Sequence, residues 1–145
     1  MSISFIGLYY CKSKSNLKTQ NTLGLECGDV LEKLAQKPGH LEFLDCTSKN
    51  GQTIYEATYK VQGKYALEVE KFLVNNYHME ALIYLCCGWE VKNGKKGLFA
   101  DSQFFKDGSS LVFQVSMFSE DTELKKREEW PQIPYFYVIA EISDI

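Results

Sequence analysis

The sequence predicts an α+β fold: a mostly antiparallel sheet of about six strands, one long helix over 64–77 packed on one sheet face, and a short N-terminal helix over 29–36. Three observations predict it. Aromatic residues make up 14% of the 145 residues, with nine Tyr and nine Phe, which favours strands and hairpins over a helical bundle. Alternating apolar runs are joined by Asn-Gly and Asp-Gly pairs, and such turn-length connections pair strands antiparallel. One segment carries a sustained helical period.

In chain order, residues 2–10 read as a strand or extended segment, and 12–25 as a polar linker without periodicity, so 1–25 attach loosely to a single domain spanning 1–145. Asp29 caps the short helix, with Glu32 three residues on and an apolar stripe of Val30, Leu31 and Leu34; Pro38-Gly39 stops it. Leu41, Phe43 and Cys46 enter a strand, Asn50-Gly51 turns it, and Tyr55, Ala57, Tyr59 and Val61 alternate down the return strand. In the long helix Tyr65, Ala66, Val69, Phe72, Leu73 and Tyr77 form one stripe, expected to pack on the sheet.

Ala81–Val91 reads as one strand apolar on both faces, hence central. With 97–105 and 111–117 it forms a three-strand meander through turns at Asn93-Gly94 and Asp107-Gly108. Residues 119–130 are highly charged and read as a short exposed helix or loop. Pro131 and Pro134 bracket the entry to a last strand, Tyr135–Ile142, with Tyr137 and Ile139 on one face and Val138 and Ala140 on the other.

Charge and composition exclude several functions. The chain is 45% hydrophobic and 24% charged, unlike a disordered segment. Its net charge of −3 is uneven, because the first 25 residues hold three Lys and no acid, so the body is more acidic still. An acidic body argues against a nucleic-acid surface and suits a basic partner. No apolar run approaches the ~20 residues that cross a bilayer. The N-terminus has no Lys or Arg before its apolar stretch, and Lys12 and Lys14 follow where a small-residue cleavage site would stand. The expectation is a cytoplasmic protein, with a periplasmic or secreted one as the alternative.

Five cysteines leave at least one thiol free or paired between molecules. None has C-x-x-C spacing, and two histidines are too few for a metal site, so neither metal nor cofactor is expected. Either the cysteines are buried and reduced, or Cys27 and Cys46 bridge, since the helix after Cys27 and the strand ending at Cys46 are expected neighbours. Cys86 and Cys87, on one strand, point to opposite faces: one toward the long helix, the other to where Cys27 or Cys46 could meet it. A nucleophilic role would require His40 or His78 as base, in no recognised context, and no Gly-x-Ser-x-Gly elbow or phosphate-cradling loop occurs. His78 suits a cation at a helix C-terminus better. The expectation is no enzyme.

Cys27-Gly28-Asp29, Lys37-Pro38-x-His40-Leu41-x-Phe43-x-x-Cys46 and Cys86-Cys87-Gly88-Trp89-Glu90 together resemble an uncharacterised bacterial protein family that carries Cys-Gly-Asp, Lys-Pro-x-His and Cys-Cys-Gly-Trp-Glu. The resemblance spans residues 26 to about 92 and implies export, which suits disulfides. A second similarity, of type and not of motif, is to bacterial toxin-immunity proteins. It implies a protein that binds a cognate toxin domain and blocks its active site, the toxin being a nuclease with a basic channel. The contact is expected at Glu120, Asp121, Glu123, Glu128 and Glu129, with Trp130 as anchor. The alternative is an exported, disulfide-stabilised structural or ligand-binding domain. On either reading Cys86 and Cys87 mark the fold.

Overall fold

In the computed structural model, which describes residues 25–104, 108 and 110–144, helix α1 (Val30–Leu34) precedes the hairpin β1 (Glu42–Ser48) and β2 (Thr53–Gln62). Helix α2 (Gly63–Tyr77) follows, then β3 (Leu82–Leu85), β4 (Gly88–Val91), β5 (Gly97–Phe104), β6 (Ser110–Ser119) and β7 (Tyr135–Asp144). The class is α+β, and the seven strands form one sheet in the order β1-β2-β7-β6-β4-β3, with β5 also paired to β6. Every pairing is antiparallel. Readings that fall on residues 1–24, and most of the Asp107-Gly108 turn, lie outside the described residues; Gly108 itself has φ +89°.

Periodicity explains the two layers. On β7, Phe136, Val138, Ala140 and Ile142 are fully buried while the residues between them are half-buried, and Leu111, Phe113, Val115 and Met117 do the same on β6. These strands share one core face with Tyr55, Ala57, Tyr59 and Val61 of β2. Helix α2 presents Ala66, Val69, Leu73 and Tyr77 to it and touches β2, β5, β6 and β7. Gly63 opens the helix because a Cβ there would run into the carbonyl oxygens of Ile133 and Trp130. The backbones meet directly, and the Gly63 amide donates to Pro134 O at 3.1 Å.

The structure corrects several expectations. The apolar run 81–91 is two strands: Cys86 takes φ +51°, breaks the alternation, and turns β3 back on β4 with Leu85 opposite Gly88. That makes seven strands instead of about six. The hairpin is also no central strand, since β3 is the sheet edge and β6 and β7 hold the middle. Of the expected meander the second pairing forms, β5 with β6 from Gly97↔Val115 to Phe104↔Ser110, and the first does not, because β4 pairs with β6 and not with β5. Strand β4 reaches β6 through one pair, Glu90↔Phe118. Helix α1 is shorter than 29–36, with Ala35 leaving helical dihedrals at φ −150°. Strand β7 runs two residues beyond Ile142.

Around α1 the motif residues near Asp29 build a local support. Asp29 Oδ1 accepts from the Glu32 amide (3.2 Å) and from the Tyr59 hydroxyl (2.8 Å), and Oδ2 accepts from Lys37 Nζ (2.6 Å). The Tyr59 oxygen in turn accepts from the Leu31 amide at 3.0 Å. Burial, with the Asp29 carboxylate as acceptor, pushes the Tyr59 phenol well above its ordinary range. For Asp29 burial acts upward, but the hydrogen bonds from Lys37, Tyr59 and the Glu32 amide, with the Lys37 charge, outweigh it and hold its pKa below the ordinary value. A depressed carboxylate stabilises the fold above its unfolded pKa of about 3.9, and that contribution is lost as pH falls through the lower folded value. Asp29→Asn is therefore expected to flatten the acid limb of a stability-against-pH curve, with the wild-type advantage largest at neutral pH and lost as pH falls through the depressed folded value. Parallel curves for the two proteins across that range would contradict it.

Candidate functional site

The densest polar construction is where the segment 119–132 crosses the β3–β4 hairpin. The hairpin tip is Cys86-Cys87, both exposed and bonded to each other through sulfur, with Cα atoms 3.8 Å apart. Neither meets Cys27 or Cys46, which are bonded to each other with Cα atoms 5.5 Å apart. A turn with positive φ places adjacent side chains together where a strand would oppose them.

The tip carbonyls hold the charged segment. The Thr122 amide donates to Cys87 O at 2.8 Å, and the Tyr84 hydroxyl lies 2.7 Å from Thr122 O and 3.1 Å from Cys86 O. One residue further into β4, the Trp89 amide donates to Ser119 Oγ (2.9 Å), whose own proton goes to Glu120 O (2.7 Å). Gly88 leaves the space, because a Cβ there would stand 3.0 Å from Ser119 Oγ. Trp89 Nε1 donates to Leu124 O at 2.9 Å. The segment is thus pinned at 119, 122 and 124, and its side chains are displayed from a fixed backbone.

Beneath it, a short 3₁₀ turn (Arg127–Gln132) points Arg127 inward. Its guanidinium makes a two-pronged pair with Glu70 of α2: Nη1 meets Oε1, and Nη2 donates to Oε2 at 2.8 Å. Nη2 also donates to Leu82 O (2.8 Å), while Glu70 Oε2 accepts from the Leu82 amide (2.8 Å), so the pair locks α2 to β3. The hydrogen bonds that Arg127 donates to the Glu70 carboxylate raise its pKa, fixing its charge. The guanidinium carbon lies 4.8 Å from the Trp130 ring centre and 5.7 Å from that of Trp89, and the two indoles meet edge-to-face at 5.1 Å.

The expected contact residues therefore divide. Trp130 is 0% exposed and cannot anchor a partner; Ile133 and Phe136 bury there too. Glu120 is half-buried and accepts from the Tyr135 amide at 3.2 Å, closing the end of the β6–β7 ladder. Glu129 is also half-buried and caps the 3₁₀ turn through the Lys126 amide at 3.1 Å. Asp121, Glu123 and Glu128 remain exposed, beside Lys125 and Lys126. Arg127, which in the sequence counts against these acids, pairs with Glu70. The displayed surface is then three carboxylates beside two lysines, a net −1 against −2 for the whole of 119–130.

Two clefts flank the hairpin tip. One of about 450 Å³ lies between β4 and β6 beside Cys87, with Glu90, Phe118, Glu120 and Asp121 at its wall; the other, about 420 Å³, is lined by Tyr84, both cysteines, Asp121, Glu123 and Lys125. Neither histidine lines them: His40 stacks on Tyr65 with ring centres 3.6 Å apart, and His78 ends α2 in a left-handed conformation, φ +62°. Among the described residues no group of three or more His, Cys, Asp or Glu is placed to hold a metal ion, and no helix is long and apolar enough to cross a membrane.

Reading the sequence missed Glu70, Arg127, Tyr84 and Ser119. Glu70 left a signal, because it falls on the Ala66–Leu73–Tyr77 face where a charge needs a partner. The partner, 57 residues on, left none.

A family profile described as a domain of unknown function, DUF4952, matches residues 15–89. That span takes in the Cys27–Cys46 bridge, Glu70 and the Cys86-Cys87 tip, and stops before the acidic segment. No curated protein and no solved structure matches the chain.

Proposed function

The chain belongs to the DUF4952 family, and from the surface it builds over the hairpin tip we propose that it is a non-enzymatic binding protein. On this reading it is an immunity protein that binds a cognate bacterial toxin domain in the cytoplasm and blocks its active site. The observation that carries the reading is the fixed display of Asp121, Glu123 and Glu128 on a backbone pinned at Ser119, Thr122 and Leu124, with Arg127 withdrawn to Glu70. A surface ordered before binding loses little conformational entropy on contact. A nuclease toxin holds a polyanionic substrate in a basic channel, and carboxylates at fixed spacing compete for the same cations. The partner is a basic protein surface; nucleic acid, membrane and cofactor have no part in it. Leu85, 42% exposed at the hairpin edge, supplies apolar contact that the buried Trp130 cannot.

Titrating the purified chain with the toxin domain encoded beside its gene tests this. A complex with Kd of about 1 μM or tighter, roughly −8 kcal/mol, is expected. No complex at that concentration would remove the reading.

The bridge between Cys27 and Cys46 favours the second reading, an exported, disulfide-stabilised domain. Free thiols counted on unfolded protein from its native compartment separate the two. One free thiol of the five accompanies two bridges, and five free thiols exclude the exported version.

A further inference from the structure

The geometry points to Cys86 and Cys87 as a reversible oxidation site, a vicinal dithiol whose closure to a disulfide fixes the hairpin tip that holds the acidic segment. Four observations carry it. The tip lies outside the strand alternation that would keep adjacent sulfurs apart, and the two sulfurs are bonded there. Both residues are exposed, whereas Cys27 and Cys46 are half-buried, so a reductant reaches the tip first. Cys86 sits at φ +51°, a conformation unfavourable for a side chain with a Cβ, and the ring closed through sulfur holds it there. Finally, the carbonyls of these same two residues accept from Tyr84 and Thr122, so the tip's conformation sets where the segment attaches.

The chemistry balances with a dithiol reductant. One of its thiolates attacks a tip sulfur, the S–S bond breaks, and the other tip sulfur leaves as thiolate. The reductant's second thiol then displaces the mixed disulfide and closes its own disulfide, while Cys86 and Cys87 each gain a proton. Two electrons pass to the protein, and oxidised glutathione takes them back on reclosure. With the bond open, Cys86 is free to leave positive φ, and the acceptors for Thr122 and Tyr84 move with it. The inference concerns the free protein and stands whether or not the acidic surface meets a partner.

The test uses the full chain, equilibrated with oxidised glutathione and then with graded dithiothreitol, followed by alkylation with peptide mapping and by amide hydrogen exchange. The oxidised peptide holding both cysteines is expected to resist alkylation and to be two hydrogens lighter than the dithiol. Under dithiothreitol it should take two alkyl groups about tenfold faster than the Cys27 and Cys46 peptides. Exchange over 119–126 should rise about tenfold on reduction, and Cys86→Ser/Cys87→Ser should exchange fast in both buffers. A Cys27→Ser/Cys46→Ser protein keeps the tip and should retain the response, separating it from loss of the other bridge. Full alkylation of the oxidised wild-type tip would overturn the inference. So would exchange over 119–126 that is equal in both redox states.

Discussion

Glu70→Ala is expected to destabilise the protein by about 3 kcal/mol, near the low end for breaking a buried ion pair because Arg127 keeps a solvent-facing edge. Glu70 is 5% exposed, and its removal strands two groups: the Arg127 guanidinium, between two indoles, and the Leu82 amide, which loses its 2.8 Å acceptor. The damage lies between α2 and β3, so the segment above loses its base. Urea unfolding of the variant checks the magnitude. Replacing both partners, as Glu70→Met/Arg127→Met, is expected to recover only the part due to the uncompensated guanidinium, since the Leu82 amide and carbonyl still lose their partners. A double variant as unstable as Glu70→Ala would show that the pair does more than satisfy itself.

Trp130→Ala is expected to cost about 3–5 kcal/mol, the range for truncating a fully buried aromatic side chain. Trp130 packs against Trp89, Phe136 and Arg127 and is fully buried, so its loss opens a cavity under the whole segment. By contrast Asp121→Lys/Glu123→Lys, at exposed positions, should shift stability by no more than about 0.5 kcal/mol. Equal stability of the Trp130→Ala protein and the wild type in urea would return Trp130 to the surface and contradict the division drawn between core and contact residues.

Periodicity carried the reading of the fold wherever one face of an element was buried. The stripe of α2, the Asn50-Gly51 hairpin and the alternation on β6 and β7 were legible because burial repeats every 3.6 or every two residues. The β3–β4 hairpin was not. Leu82 to Trp89 carries no charge, its turn has no Asn or Asp, and a Cys at φ +51° is a turn residue that composition does not announce. Missing that turn misplaced the cysteine pair at the sheet centre, although the β5–β6 pairing was legible. In the candidate site, the acidic segment was visible as charge, but its wiring was not. Glu120 and Glu129 look like surface carboxylates in the sequence and instead satisfy backbone amides, while Trp130 sits among charges and is fully buried. Contacts across 15 to 57 residues decide the roles of Glu120, Ser119 and Arg127, and linear spacing does not record them.

The most direct measurement of the proposed function is the association rate with the proposed partner, a basic toxin domain sought beside the gene, for wild type and Asp121→Lys/Glu123→Lys, at low and high salt. The two carboxylates are exposed, so the Debye length of about 10 Å at 0.1 M ionic strength governs their reach, and about 3 Å at 1 M suppresses it. The variant is expected to associate at least ~10-fold more slowly at low salt and to converge on the wild-type rate at high salt, with its stability unchanged. Equal rates at low salt would contradict the account and remove the acidic segment from the contact.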